Sequence, residues 1–398
     1  MLKILAKFVL LRYKPKIILV AGTIGKTCAK EAIFCVLSKH FRIKRNKEKF
    51  DKRNDLILNI LGLEDFKRNP FLALGSFLKI LFFDKNYPEI LIFEARIKKP
   101  GDSKYFENLK PLVVVVTIFG EIPAQVEFFA GPKSMALQKF KILESVPHFG
   151  YAILNYDDET VREMKEEIRA HSLTFGFQEG ADLRATDIIQ QFPADSLENA
   201  GINFKLHFRG NIVPIWLHHV YGRPQVYAAL AAAAVGLVFK LNLIEISEAL
   251  KGYESPLSRM TLEKGIKQAW ILDDSCESSP ASMISGLKTL KDLKNEGRKI
   301  AVLGDMLGIG KYTEQAHRTI GEFCSDFLDS LFCIGPRAKF IADEIIKRGF
   351  QKEKVFSFDT AEEAKKIVQR EIKSGDFILI KGSDRDEMGK VIEEIREV

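Results

Sequence analysis

The segment KIILVAGTIGKTCAKEAIFCVLSKH (residues 16–40) decides the fold of this chain. It opens with Lys16–Ala21, an apolar, β-branched run that predicts a buried strand. The residues from Cys28 to His40 predict a helix, and GTIGKT lies between the two. A buried strand that passes through a glycine-containing turn into a helix is typical of α/β proteins with a parallel sheet.

The turn GTIGKT is a candidate phosphate-binding loop. Glycines let backbone N–H groups curl around phosphate oxygens, and the amino end of the following helix adds a favourable dipole. In this role Lys26 would neutralise phosphate charge and Thr27 would ligate Mg²⁺. The spacing is shorter than in the general GxxxxGK[ST] pattern, so a chance glycine-rich turn is the alternative. The residues assigned to the loop are Gly22, Thr23, Ile24, Gly25, Lys26 and Thr27.

Further strands follow the loop. Continuous apolar runs separated by helical segments predict a mostly parallel sheet covered on both faces. These runs are Glu89–Phe93, Leu112–Thr117, Tyr151–Leu154 and Leu173–Phe175. Between 181 and 216 the pattern alternates, which predicts antiparallel strands at one side of the sheet. An Ala-rich helix is expected at 224–239, and the basic stretch 42–54 is the best candidate for a mobile loop.

A second α/β domain is expected after Gly252 and Pro256, where the pattern breaks. Strand–helix alternation then restarts, with strands predicted at 269–274, 299–305, 330–335, 354–358 and 376–383. The predicted fold class is therefore α/β, with a P-loop domain at 1–254 and a Rossmann-like domain at 255–398.

Composition narrows the classes of function. The chain has 60 basic and 53 acidic residues, but residues 1–60 alone hold 15 basic and 4 acidic ones, and the remaining 338 residues net −4. This local positive charge suits an anionic ligand and disfavours a general nucleic-acid binder. The five cysteines form no CxxC pair, and no uncharged run is long enough to span a membrane. A cytoplasmic protein without membrane insertion is expected.

Charged side chains follow several strands at the edge where ligands bind in open α/β sheets. Glu94 follows an apolar run and is a candidate Mg²⁺ ligand; an ordinary ion pair with Arg96 or Lys98 is the alternative. Asp273 and Asp274 follow a strand of the second domain, and Lys381-Gly382-Ser383 follow another. For each of these residues, the alternative to a functional role is that a polar side chain merely marks the start of an exposed loop.

Taken in order, the motifs extend over nearly the whole chain. They are GTIGKT, Glu94 with Gly101-Asp102, Thr117 with Gly120, MALQKFKIL with Lys139, Asn155 with Asp157, Gly222 before the Ala-rich helix, Arg259-Met260, Asp273-Asp274-Ser275 with Pro280 and Ser282-Met283, VLGDMLGIG with His317, and Lys381-Gly382-Ser383. This succession resembles the Mur ligase family, the ATP-dependent amide-forming enzymes of peptidoglycan precursor synthesis. It is most similar to the branch that adds D-alanyl-D-alanine to a UDP-N-acetylmuramoyl-tripeptide.

The resemblance implies a reaction and a set of roles. ATP phosphorylates a substrate carboxylate, and an amine then attacks the acyl phosphate to form an amide. Catalysis would use Lys26, Glu94 and Lys139, with Thr27, Glu94 and a carbamoylated Lys139 holding Mg²⁺. The resemblance also assigns Asn155, Asp274 and Arg259 to ATP, and Lys381 and Ser383 to the substrate.

The chain departs from the family pattern at several positions. Gln125 stands where the family has a metal-binding histidine and could ligate Mg²⁺ only through a neutral amide oxygen. Too few residues precede the first strand for the family's UDP-binding domain. That domain is expected to be lacking, with a partner supplying it or with an acceptor held differently. The other departures are Arg96, Pro224, Ala228, Cys276 and Glu277. A catalytically weak ATP-binding homologue acting as a regulatory or scaffold subunit is the main alternative; a P-loop nucleotide kinase leaves the second domain unexplained.

Overall fold

Two predicted sheets are present in the computed structural model, which describes residues 2–46, 53–62, 80, 86–193, 200–293 and 297–397. Both sheets are mostly parallel and are covered by helices, so the predicted α/β fold class is confirmed. The division of the chain at 254/255 stays a prediction. Part of the basic stretch 42–54, expected to be a mobile loop, is instead a strand at Ile43–Arg45, and residues 47–52 lie outside the described residues.

The first sheet has nine strands in the order β2-β3-β1-β4-β5-β6-β7-β8-β9 in the described part of the chain. The strands from β2 to β7 pair in parallel, and β7, β8 and β9 pair antiparallel at one side, as the alternating pattern predicts. The strands are β1 Lys16–Ala21, β2 Ile43–Arg45, β3 Ile90–Glu94, β4 Val113–Val116, β5 Tyr151–Asn155, β6 His171–Gly176, β7 Leu183–Gln191, β8 Gly201–Phe208 and β9 Asn211–His218.

Helices cover both faces of this sheet. They are α1 Leu2–Tyr13, α2 Lys26–Ser38, α3 Arg53–Ile60, α4 Lys104–Glu107, α5 Pro132–Glu144, α6 Glu159–Glu163, α7 Arg223–Val238 and α8 Leu243–Leu250, with 3₁₀ turns at Val126–Phe128 and Met164–Glu167. The Ala-rich helix α7 is buried almost throughout and packs against α2, because alanine side chains let two helices approach closely. Helix α1 is absent from the sequence-based prediction.

The second sheet has six strands in the order β10-β11-β15-β12-β13-β14 among the described residues. The strands are β10 Thr261–Lys264, β11 Trp270–Asp273, β12 Lys299–Gly304, β13 Ser330–Ile334, β14 Val355–Phe358 and β15 Phe377–Lys381. The first pair is antiparallel and the others are parallel. Its helices are α9 Pro280–Lys291, α10 Thr313–Cys324, α11 Lys339–Lys347, α12 Ala361–Glu371 and α13 Arg385–Ile395, with 3₁₀ turns at Ile266–Gln268, Gly310–Tyr312 and Lys352–Lys354.

Strand register places the candidate residues together. In the first sheet β1 lies between β3 and β4, with Val20 opposite Glu94 and Ala21 opposite Val116. The loop that starts at Gly22 therefore leaves the sheet beside Glu94. In the second sheet Asp273 lies opposite Ile380, so Asp274 and Lys381 leave adjacent strands at the same edge. In the described ranges no helix has the length and apolar character needed to cross a bilayer.

Candidate active site

The phosphate-loop candidate forms a tight turn held by the segment that follows β4. Gly22 and Gly25 have φ values of +128° and +81°, in the range that favours glycine. The N–H groups of Thr23 and Ile24 donate to the carbonyl oxygen of Ile118 at 2.8 and 3.1 Å. Helix α2 starts at Lys26, and its first N–H groups have no acceptor within the helix. The amino end of α2 therefore presents backbone donors suited to an anion.

Lys26 is only partly exposed, because its side chain folds back onto the loop. Its Nζ donates to the carbonyl oxygen of Thr23 at 2.8 Å. Burial lowers the pKa of Lys26, and the cations Arg96 and Arg259 act in the same direction, while Glu277 and Glu94 oppose the shift. Such an ammonium group in a desolvated turn gains strongly from an incoming phosphate.

Lys139 of helix α5 is also buried, against the expectation for a lysine on a surface helix. Its Nζ donates to the carbonyl oxygen of Gly22 at 3.1 Å and to Oγ1 of Thr23 at 3.0 Å, so it contacts the loop directly. Burial, and then the charge of Lys26, lowers its pKa well below the usual value. Lys133 and Lys141 of the same helix are exposed, so the neighbouring cation is Lys26 of the loop.

A chain of polar contacts joins Thr27 to the carboxylate of Glu94. Oγ1 of Thr27 donates to Oε2 of Glu94 at 3.0 Å and accepts from Nη2 of Arg259 at 3.1 Å. Nε of Arg96 donates to the other carboxylate oxygen at 3.0 Å. Glu94 is buried, which raises its pKa, but Arg96, Lys26 and Arg259 outweigh this, and the net pKa is lowered. The ion pair with Arg96 is thus present, and one carboxylate oxygen still faces Thr27.

Backbone contacts fix where this carboxylate lies. The N–H of Glu94 donates to Oδ1 of Asn46 at 3.1 Å, and the carbonyl oxygen of Asn46 accepts from the fully buried Nζ of Lys30 at 2.8 Å. Asn46 follows β2, so the edge strand and helix α2 together hold the end of β3. Glu94 is therefore positioned through backbone contacts as well as by its ion pair.

The second domain brings its own charged groups to the same cleft. Nζ of Lys381 is fully buried and donates to Oδ2 of Asp274 at 2.7 Å and to the carbonyl oxygen of Glu277 at 3.0 Å. Burial raises the pKa of Asp274, and Lys381 opposes this shift. The pair is positioned before any ligand arrives, since both members lie at the ends of adjacent strands.

Arg259 and Glu277 connect the two domains electrostatically. Nη1 of Arg259 lies 3.6 Å from Oε2 of Glu277, while Nη2 contacts Thr27 of the phosphate loop. The carbonyl oxygen of Arg259 accepts from Nε2 of Gln225, which fixes its backbone to helix α7. Burial acts to raise the pKa of Glu277, but Arg259 and Lys26 prevail and lower it to about 2. Glu277 therefore remains ionised throughout the neutral range.

Three predicted site residues have other immediate partners. Oδ1 of Asn155 accepts from the N–H of Asp157 at 2.9 Å, and Oγ of Ser383 accepts from the N–H of Leu307 at 3.0 Å and donates to the carbonyl oxygen of Ser278. Gln125 has φ +67° and lies beside Gly308 of the second domain. In the part of the chain that the structure describes, no hydrogen bond joins Gln125 to Thr27, Glu94 or Lys139.

The cleft between the domains collects these groups. It is lined by Thr23, Ile24, Gly25, Cys28, Ala124, Tyr221, Pro224, Gln225, Arg259, Met260, Asp274, Glu277, Ser278, Ser279, Ser282, Ser285, Gly286 and Lys381. In and beside the cleft, four cations, Lys26, Arg96, Arg259 and Lys381, face three carboxylates, Glu94, Asp274 and Glu277, so positive charge is in surplus beside the free helix donors. This arrangement suits a polyphosphate.

Sequence reasoning did not assign roles to Glu277, Asn46 or Lys30. In the sequence, Glu277 is notable only as a departure from a family motif. Its negative charge is the one feature that could have indicated a role in the site. Asn46 and Lys30 act through backbone carbonyl and amide groups, which no side-chain pattern reveals. Among the described residues, no group of three or more His, Cys, Asp or Glu side chains could hold a metal ion.

Two family models match the chain. The model described as "Mur ligase middle domain" matches residues 20–236, and the one described as "Mur ligase, glutamate ligase domain" matches residues 258–384. Together these matches contain every residue that lines the cleft.

Curated and solved proteins are similar over nearly the whole chain. The UDP-N-acetylmuramoyl-tripeptide–D-alanyl-D-alanine ligase of Bacillus subtilis is 24% identical over 395 residues, which cover 99% of this chain and 78% of the ligase. The MurF ligase of Thermotoga maritima, solved with ADP, superposes with a TM-score of 0.79 at 21% identity, covering 99% of this chain and 83% of that one. A MurF of Acinetobacter baumannii has a TM-score of 0.78 at 22% identity, with 99% and 80% covered. The two solved structures therefore share the fold.

Gly22→Ala is expected to destabilise the protein more than Gly25→Ala. A Cβ at residue 22 would lie 2.2 Å from Oγ1 of Thr117, whereas a Cβ at residue 25 meets nothing within 4 Å. The left-handed backbone alone costs Gly25→Ala about 1–2 kcal/mol, and the clash adds about 1–3 kcal/mol in Gly22→Ala. Urea unfolding of both variants measures the difference. Equal losses of stability would contradict the close approach of Thr117.

Proposed function

The chain belongs to the Mur ligase family, and we propose that it is an ATP-dependent ligase that forms an amide bond between a peptide carboxylate and an amine. The observation that carries the proposal is the convergence of Lys26, Thr27, Glu94 and Lys139 on one loop, opposite Asp274 and Lys381 of the second domain. A subunit that only binds a nucleotide does not need charged residues such as Asp274 and Lys381 on the opposite side of the cleft. The names and coverage of the similar ligases support the same reaction class.

ATP would bind with its phosphates at the amino end of α2. There Lys26 and the first N–H groups of the helix supply the donors, and Arg259 approaches from the second domain at Thr27. These groups are already oriented, so they stabilise charge that develops during phosphoryl transfer with little reorganisation. Asp274 and Asn155 are proposed for the nucleoside end of ATP.

Mg²⁺ fits the oxygen atoms available beside this loop. Oγ1 of Thr27 and Oε2 of Glu94 lie 3.0 Å apart, and hydroxyl and carboxylate oxygens are the hard donors that Mg²⁺ prefers. When bound, Mg²⁺ would neutralise charge on the β- and γ-phosphates. Arg96 holds the second carboxylate oxygen of Glu94 and thereby keeps the first directed at Thr27. Gln125 is a less favourable candidate, since its side chain is neutral.

The reaction has two steps. A carboxylate oxygen of the acceptor attacks the γ-phosphorus, the bond from that phosphorus to the β-bridging oxygen breaks, and ADP and an acyl phosphate form. The amine then attacks the carbonyl carbon, loses a proton and expels inorganic phosphate, which leaves the amide. Lys26 and Arg259 stabilise negative charge in the first step, and Lys381 and Ser383 are proposed to hold the amine substrate.

We infer the substrate class from the relatives. The Bacillus subtilis relative is named for joining D-alanyl-D-alanine to a UDP-N-acetylmuramoyl-tripeptide. For this chain we propose a muramoyl-type peptide as the acceptor and D-alanyl-D-alanine or a similar amine as the donor. Both substrates can be identified by assaying pairs of an acceptor and an amine. The acceptors are tested with and without the UDP group, and the amines are D-alanyl-D-alanine, D-alanine and L-alanine.

The experiment that tests the proposed activity measures phosphate release from ATP with those substrate pairs. Lys26→Ala is expected to lower kcat/KM by about 10²–10³-fold, because it removes the ammonium group from a desolvated phosphate site. Lys39→Ala, which changes an exposed lysine at the other end of α2, is the control and keeps its activity. Wild-type turnover by folded Lys26→Ala would refute the phosphate-loop assignment. If none of the substrate pairs supports phosphate release, the regulatory homologue is favoured.

Glu94→Gln is expected to be severely impaired and only weakly rescued by raised Mg²⁺. A neutral amide keeps the shape of the side chain but loses the attraction for a hard cation. Arg96→Gln is the matched variant, since it removes the ion pair and keeps the carboxylate. If Glu94→Gln stays within a factor of about two of wild type, Glu94 serves only the ion pair. In that case Arg96→Gln shows the same small change.

Lys139 is proposed to carry a carbamate in the active enzyme. A neutral lysine Nζ forms a bond to the carbon of CO₂ and releases a proton, so the lowered pKa of Lys139 favours the reaction. The product places an anion beside Thr23, where it is suited to a second Mg²⁺. This anion would compensate for the neutral Gln125.

Lys139→Ala is expected to lose ligase activity, and bicarbonate does not restore it. Wild-type enzyme depleted of CO₂ should regain activity when bicarbonate returns, and short carboxylic acids should partly rescue Lys139→Ala. Lys141→Ala is the control on the exposed side of the same helix. Intact-mass and ¹³C NMR measurements with ¹³C-bicarbonate detect the adduct directly. An unmodified Lys139 in fully active wild-type enzyme would contradict the proposal.

A further inference from the structure

Helix α1 is anchored to the first domain by one of its faces. Ala6 and Val9 are buried, and Leu2, Leu5 and Leu10 pack against the same apolar cluster. The ring of Tyr13 stacks on Tyr87 with 4.5 Å between centroids. The helix is therefore a fixed part of the domain, and its opposite face has a fixed orientation.

The outer face of α1 is apolar as well. Ile4, Phe8 and Leu11 are 61%, 54% and 59% exposed, far more than apolar side chains of this size in a core. Their spacing places them within an arc of about 60° on a helix that turns about 100° per residue. A helix that only covers a domain carries polar residues on this face. Here a contiguous apolar row faces outward.

Cations border this apolar row on both sides. Lys3 and Lys7 lie along one side of it and Arg12 along the other, and all three are exposed. Lys14 follows directly after the helix and is also exposed. Residues 1–30 contain no Asp or Glu, so nothing acidic in this stretch offsets the charge. An apolar row between lysine and arginine side chains is the pattern of a helix that lies in a lipid–water interface.

We propose that α1 docks this protein onto an anionic lipid bilayer. Ile4, Phe8 and Leu11 enter the boundary between headgroups and acyl chains, and Lys3, Lys7 and Arg12 contact lipid phosphates. The charge argues for lipid over a protein partner, since the cations lie at the level where phosphates stand when the apolar row is inserted. With 12 residues, α1 is too short to span a bilayer and lies along its surface.

Co-flotation with vesicles tests the docking. The full chain is expected to float with phosphatidylglycerol/phosphatidylcholine vesicles and not with phosphatidylcholine alone, and added salt weakens binding. The triple variants Ile4→Ser/Phe8→Ser/Leu11→Ser and Lys3→Glu/Lys7→Glu/Arg12→Glu each lower partitioning by about tenfold or more. The matched control is Ile244→Ser, because Ile244 is 69% exposed on α8 beside acidic residues, and it leaves partitioning unchanged.

A second measurement separates lipid insertion from other contacts. Phe8→Trp is expected to show a blue-shifted tryptophan emission with anionic vesicles and quenching by brominated lipid. ATP-dependent phosphate release and thermal unfolding of the triple variants should match wild type, which excludes misfolding as the cause. Equal binding to both vesicle types, or partitioning that survives the triple serine change, would overturn the proposal. So would a dimer that the serine variant dissociates, since the row would then be covered by a second copy.

Discussion

The carboxylate of Glu94 is the group around which the first domain is organised. A buried carboxylate is costly unless it is paired, and here it is held by Thr27 on one oxygen and Arg96 on the other. The Asn46 contact to its N–H extends that constraint to the edge strand. Because Val20 of β1 lies opposite Glu94, the strand before the phosphate loop must keep its register for any of these contacts to form.

The charges of the cleft depend on both domains. Thr27 accepts from Arg259, and Arg259 faces Glu277, so the second domain completes the surroundings of a loop that belongs to the first. Lys381 and Asp274 satisfy one another within the second domain. Lys26 of the loop and Arg259 of the second domain therefore place cations on both sides of the cleft.

Much of the fold was predictable because its strands are continuous apolar runs. β1 has the predicted bounds, and β3, β4, β11 and β15 lie within one or two residues of theirs. Helix α1 was not predicted because apolar residues occupy both of its faces. The one-sided apolar periodicity that identifies a helix in a sequence is therefore missing. β10 was not predicted because Thr261–Lys264 is short and mostly polar.

The site was predictable only in part. The spacing of GTIGKT and the position of Glu94 after a strand indicated that they lie together, since strand ends meet at one edge. The burial of Lys139 and its contacts with Gly22 and Thr23 depend on how α5 packs, which is a tertiary property. The contribution of Glu277 to the cleft likewise depends on the approach of the two domains. Their roles in catalysis stay predictions.

The alanine run of α7 has a consequence for how freely this chain can diverge. Ala231, Ala232, Ala233 and Ala234 are wholly buried, and α7 packs on α2, whose first residue is Lys26. A larger side chain at any of them must displace a neighbouring element of the core, so these positions admit little variation although none of them lines the cleft. Ala228, one of the departures from the family pattern, is buried in the same helix, and a polar side chain there would need new hydrogen-bond partners. A polar residue at position 228 would thus require compensating changes around it.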